Sequence, residues 1–225
     1  MLRRLLGLLL SLRRSSVERP PSSAGQATTV TSGDMIYSLA TLHDPAPAVD
    51  PGPPDADYRS LHEDDWRQIE FVAGANLAHI QRELAMLAAF KEQHARGPGW
   101  TDTYLRTEHP VPLEEVGLQA TDLPTLPLSS LVIPGQSAWS GKVRGGFALS
   151  DGEWFLYGQR TPKGLIVQLA LSPARSLPTD YLASSISRLA HSFNVLLVDW
   201  YKGSLIDVSS HDAVLEWARR FCRVG

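Results

Sequence analysis

Between Lys142 and Leu171 the chain carries three short runs of strand-forming residues: Lys142–Leu149, Glu153–Arg160 and Leu165–Leu171. The first two meet at Ser150-Asp151-Gly152-Glu153, where Asp-Gly supplies the positive φ that a type I′ hairpin turn needs. The second and third meet at Thr161-Pro162-Lys163-Gly164, with proline early and glycine late. Runs joined this tightly have no room for a crossover, so they pair antiparallel.

The stretch after the meander is equally legible. Leu182, Ile186, Leu189 and Phe193 repeat at helical spacing, which predicts a helix from about Pro178 to Ser192. NVLLVDWY and SLIDV then form a hairpin around Lys202-Gly203. A last helix starts near Ser209, with Asp212 as capping partner and Val214, Trp217, Ala218 and Phe221 as its buried stripe. Together these elements predict an α+β fold: an antiparallel sheet of about five strands with helices packed mainly on one face.

The folded part begins with DDWRQIEFV, a strand that places Arg67, Ile69 and Phe71 on one face and Trp66, Gln68 and Glu70 on the other. A helix from Asn76 to Ala95 follows, with Leu77, Ile80, Leu84, Leu87 and Phe90 in register, and it stops before Gly97-Pro98-Gly99. Prolines 110, 112, 124, 127 and 134 break the next stretch into short extended pieces. Residues 1–60 read as a flexible Pro/Ser-rich segment, with MIYSLATL as a candidate docking strand, and residues 61–225 as a single α+β domain. His43 to Glu70 holds eight acids against two arginines and reads as a solvated, acidic approach to the domain.

A net charge of -3 with scattered bases argues against nucleic acid as a partner. One cysteine, Cys222, excludes an internal disulfide and a Cys-rich zinc site, and suits a cytoplasmic protein. The Arg/Leu-rich stretch Met1–Ser16 is too short to span a bilayer. If native, it points to targeting or membrane contact.

Chemistry-bearing motifs fail on inspection. GQSAWSGKV puts five residues between Gly135 and Gly141 and Val143 after the lysine, so a P-loop lacks both its spacing and its magnesium ligand. Trp139 stands where a nucleophile elbow needs glycine. His79 and Glu83 share a helix edge, and Ser184, His191 and Asp199 compose a triad only on paper. A two-residue loop at Lys202-Gly203 would put Asp199 and Asp207 on opposite faces, with one acid toward the helices and in need of a partner, such as Arg188 or a backbone amide. No catalytic residue, cofactor or metal is therefore expected. Aromatic residues remain: Trp139, Trp154, Tyr157, Trp200 and Tyr201 are the candidates for a protein contact.

The segments LHEDDWRQIEF and NVLLVDWYKGSLIDV resemble those of uncharacterised bacterial proteins similar to immunity proteins of secreted-toxin systems. The resemblance implies a protein that binds and blocks a cognate toxin in the producing cell. Elimination leans the same way, toward a protein-binding module with Glu63, Asp64 and Asp65 meeting a basic surface. The alternative is a hydrolase or transferase whose site assembles only in three dimensions.

Overall fold

A computed structural model of the chain describes residues 41–43, 46–50, 55–134, 140–172, 174 and 176–222. Met1–Ser16, most of MIYSLATL and Trp139 lie outside the described residues. The strands are β1 (Thr41–His43), β2 (Val49–Asp50), β3 (Tyr58–Ser60), β4 (Ile69–Ala73), β5 (Ala95–Arg96), β6 (Gly99–Trp100) and β7 (Tyr104–Arg106). They continue with β8 (Leu128–Ile133), β9 (Gly141–Val143), β10 (Gly146–Asp151), β11 (Trp154–Arg160), β12 (Ile166–Ser172), β13 (Val195–Asp199) and β14 (Ser204–Ile206). Three helices are described: α1 (Leu77–His94), α2 (Asp180–Phe193) and α3 (His211–Cys222).

The predicted meander is β10-β11-β12, but its first turn is shifted by one residue. Asp151 stays in the strand opposite Trp154, and the loop is Gly152-Glu153. The positive φ falls at Gly152 and not at Asp151, so the expected type I′ Asp-Gly turn is not the one formed. Gly158 is required where β11 meets β12, because a Cβ there would sit 2.0 Å from the Gln168 carbonyl oxygen. Around the meander the fold is α+β, but the sheet has ten strands rather than about five. Its order is β14-β13-β4-β12-β11-β10-β8-β9-β2, with β3 alongside β8. Only the β3–β8 pair is parallel. Of the additional strands, β2 and β3 are two or three residues long, too short for alternation to mark them. β8 is a six-residue strand within the proline-broken stretch, and β9 arises because a turn at Arg144-Gly145 splits the expected run Lys142–Leu149 into two strands. β1 takes in the described end of MIYSLATL, the candidate docking strand, and pairs with β7 outside this sheet.

Two of the three described helices, α2 and α3, pack on one face of the sheet, in keeping with helices mainly on one face, and α1 packs on the other. Ile69, Phe71, Leu156, Leu171 and Leu197 meet Leu182, Ile186 and Leu189 of α2 and Val214 and Ala218 of α3. On the second face, Val72, Val198 and Trp200 meet Ile80 and Leu87 of α1. Leu61, Trp66, Leu131, Ile133, Tyr157 and Ala170 form a separate apolar cluster on that face. A helix's apolar stripe says that it packs, not against which side.

The β13–β14 hairpin also differs from its expected register. Asp199 pairs with Ser204 and Val198 with Leu205, which leaves a four-residue loop, Trp200 to Gly203. Asp199 Oδ1 accepts the Lys202 N–H at 3.0 Å and so fixes this wider turn. The same carboxylate lies toward the helices and takes a bond from Trp217 Nε1 at 3.1 Å, while Asp207 stays exposed. At the start of α3, Ser210 rather than Ser209 caps, accepting the Ala213 N–H at 3.1 Å.

Candidate functional site

Strand alternation sends Glu70, between Ile69 and Phe71 on β4, to the second face. There it lies in a row with Ala170 on one side and Val198 on the other, one from each apolar cluster of that face. Its carboxylate is fully buried between them. Unpaired, it would cost several kcal/mol, so its partners decide whether this strand can exist.

Four donors converge on it. Arg67 Nε lies 2.6 Å from Oε2; Trp200 Nε1 (2.8 Å), His109 Nε2 (3.1 Å) and Arg106 Nη1 (3.4 Å) approach Oε1. Arg67 reaches it by leaving the strand: its φ is 57°, a left-handed conformation that strains a residue with a Cβ. This corrects the expected placement of Arg67 beside Ile69 and Phe71. The strained backbone is held at both ends, its N–H donating to Tyr157 Oη at 2.8 Å and its carbonyl accepting from Arg106 Nη1 at 3.0 Å.

The covering layer is the two-stranded parallel pair β1–β7, in which His43 and Arg106 are register partners and both are buried. Arg67 Nη1 donates to His43 Nε2 at 2.9 Å, and the Arg106 guanidinium lies 4.7 Å from the Trp200 ring centroid. Beside this layer, buried Glu83 of α1 accepts from Tyr104 Oη at 3.1 Å and Thr107 Oγ1 at 2.8 Å. Glu83 is thus an inward residue and not the expected helix edge, as its position between Ile80 and Leu87 in the stripe allows. His79 contacts the same Thr107 hydroxyl at 3.4 Å.

Electrostatics follow from these contacts. Burial alone would raise the Glu70 pKa, but Arg67, His109 and Arg106 outweigh it and hold the carboxyl well below its usual range. Burial, then the Arg67 charge, pushes His43 down to about 3, so it sits neutral as an acceptor at pH 7. Burial lowers Arg106 to about 10, still charged at neutral pH. With four donors bound, Glu70 is an ionic staple joining β4, β7 and the His109 segment rather than a free general base. Arg106 Nε and Nη2, His109 Nδ1, Trp66 Nε1, Gln68 Oε1 and Thr41 Oγ1 are buried without hydrogen-bond partners among the described residues.

The expected contact residues divide. Trp154, Tyr157 and Trp200 are core residues and leave the set of surface candidates. Each buries its ring and satisfies its polar tip, Trp154 Nε1 on the Ser176 carbonyl at 2.5 Å and Tyr157 Oη on the Asp65 carbonyl at 2.9 Å. Tyr201 is half-buried, its hydroxyl bonded to the Asp65 carboxylate. Glu63, Asp64 and Asp65 form a 3-10 turn with all three side chains partly exposed. Ser184 and His191 lie exposed on α2, whereas Asp199 is buried on Trp217 and the Lys202 amide, so the paper triad is not assembled. Among the described residues, no three His, Cys, Asp or Glu side chains are placed to hold a metal, and no helix is long and apolar enough to cross a membrane.

Sequence reasoning misses Glu70, Arg67, His43, Arg106, His109 and Glu83 as one cluster. An acid alternating with Ile69, Phe71 and Val72 in a strand is the available signal; nothing in the proline-broken stretch points to Arg106 or His109. By architecture the chain is an α+β protein with a two-sided sheet and a sealed ionic cluster under a strand pair. No family model matches the chain, and no curated protein or solved structure matches it either.

Proposed function

We propose that the chain is a protein-binding module of the immunity type, which holds a cognate toxin in the producing cell and blocks it by covering its active site. The observation that carries this reading is the clamping of the acidic turn. Asp65 is held by Tyr157 through its carbonyl and by Tyr201 through its carboxylate, and Leu61 and Trp66 on either side are buried. Glu63 and Asp64 are thereby presented at the surface on a fixed backbone. A preorganised contact loses less ordering entropy on binding, and fixed negative charge steers a basic partner.

The reading is tested by expressing the chain with the toxin encoded beside it. Wild type should protect cells and form a one-to-one complex, and Glu63→Gln with Asp64→Asn should slow association most at low salt. A chain that leaves cells unprotected against that toxin would sink it.

A further inference from the structure

Strand β1 is three residues long and pairs only with β7, in a two-stranded sheet separate from the main one. Among the described residues, two side chains of the turn before β4 tie it down. Gln68 Nε2 donates to the Thr41 carbonyl at 3.2 Å, and Arg67 Nη1 donates to the His43 ring. Thr41 and His43 are nevertheless buried, so this small element seals part of the layer over Glu70. Thr41 Oγ1 and Gln68 Oε1 are buried there without partners and would regain water if the strand lifted. A short strand with few bonds and two desolvated oxygens belongs to the low-stability end of a fold.

The contact that holds the end of β1 depends on a lone pair. Arg67 Nη1 lies 2.9 Å from His43 Nε2 and 3.3 Å from Nδ1, so the neutral ring accepts. An imidazolium carries N–H groups at both positions and has nothing to accept with. The charged and titratable groups facing His43 offer it no new partner. Arg67, from the turn before β4, and Arg106 of β7 are cations. His109, after β7, has its ring centroid 6.1 Å away and is bonded to Glu70. Glu70 of β4 is the one acid among these groups, and its oxygens already take four donors. A third cation in this layer is relieved by lifting His43 into water.

We infer that β1 is a pH-sensitive strap: protonation of His43 lifts Thr41–His43 off β7 and uncovers Arg67 and Glu70 while the main sheet stays folded. The strap goes beyond the binding-module reading and does not rest on it. Once open, the strand holds His43 at its ordinary 6.5, whereas burial and then the Arg67 charge hold the closed one at about 3. The open form therefore takes up the extra proton between those values. The opening constant should rise about tenfold for each pH unit lost within that window.

The test is residue-resolved hydrogen exchange of the full chain between about pH 6.5 and pH 5, above the range in which an ordinary carboxyl titrates. After correction for intrinsic exchange, protection of the amides that join β1 to β7 should fall about tenfold, and that of β11 should not change. His43→Gln keeps an acceptor for Arg67, so its strap should stay equally protected across the window. Wild type supplies a second readout: the His43 ring signal should remain that of a neutral imidazole down to about pH 5. Parallel loss of protection in β1 and β11, the same fall in His43→Gln, no fall at all, or a His43 ring that titrates at its ordinary value would overturn the strap.

Discussion

On one face of the sheet, Ile69, Phe71, Leu156, Leu171 and Leu197 meet α2 and α3 through apolar side chains, with Asp199 the one acid among them. On the other face, one residue along β4, Glu70 meets two guanidiniums, an imidazole and an indole. Both faces exclude water, but they do so with different tolerance. Apolar burial has no direction, so a lost methyl leaves a cavity and little else. The ionic face is directional, and removing one member leaves another charged and buried.

The largest effect should come from that asymmetry. Glu70→Ala strands Arg67 and Arg106 together and should destabilise by about 3–5 kcal/mol in urea unfolding. Arg106→Met leaves Glu70 with Arg67 and His109 and should cost less, about 1–3 kcal/mol. Combining the two should fall short of their sum by about 0.5–3 kcal/mol, because a single guanidinium is then left without its acid. On the apolar face, Leu197→Ala and Leu182→Ala should each cost about 2–5 kcal/mol and combine with no such charge coupling. Simple additivity on the ionic face would break the comparison.

Acid should find the second face first. His43 has a folded pKa of about 3 against an ordinary 6.5, so the folded state takes up fewer protons than the unfolded state between those values, and stability falls as pH drops through that window. Glu70, held below its ordinary value, contributes stability that is present above pH 4.5 and lost as pH falls toward its folded pKa. His43→Gln keeps an acceptor for Arg67 and removes the titration. Urea midpoints of this variant between pH 4 and 6.5 should fall less steeply than those of wild type; an unchanged slope would place the sensitivity elsewhere.

How much of this was readable from sequence depends on the range over which each signal acts. The meander, α2 and the core stripe of α3 follow from local chemistry: glycine-bearing turns, the first of them formed one residue later than the Asp-Gly pair suggests, and spacing at three and four. That one of Asp199 and Asp207 would face the helices was legible; that it is Asp199, and that the Trp217 indole joins the Lys202 amide on it in place of Arg188, was not. Strands β2 and β3 were not legible, because two or three residues carry no alternation, and neither was β8, a six-residue strand in the proline-broken stretch. β9 was merged with β10 because the turn between them at Arg144-Gly145 carries no proline or Asp-Gly signal. The ionic cluster was not legible. Glu70 and His43 fall at the ends of a stretch read as a solvated, acidic approach, whereas both are buried, and Arg106 and His109 stand 36 and 39 residues from Glu70 in a proline-broken stretch. Arg67 adopts a backbone that its residue type disfavours.

The smallest effect belongs to a single side-chain hydrogen bond on the apolar face, from Trp217 to Asp199. Trp217→Phe keeps an aromatic ring beside Trp154 and Phe221, whose centroids lie 5.7 and 6.0 Å from Trp217 in edge-on and tilted contacts, and deletes the indole donor to Asp199 with the ring that carries it. Burial already raises the Asp199 pKa, and the Trp217 bond is the largest influence holding it down. The carboxylate keeps the Lys202 amide, so the expected loss is about 1 kcal/mol at pH 7, well below that of Glu70→Ala. The sign with pH should be opposite to the usual loss in acid. Without its indole donor Asp199 is more easily protonated, and the neutral acid is the cheaper form to bury. The gap between Trp217→Phe and wild type should therefore narrow as pH falls toward the Asp199 pKa. A gap that widens on acidification would mean that the indole supports packing and not the charge.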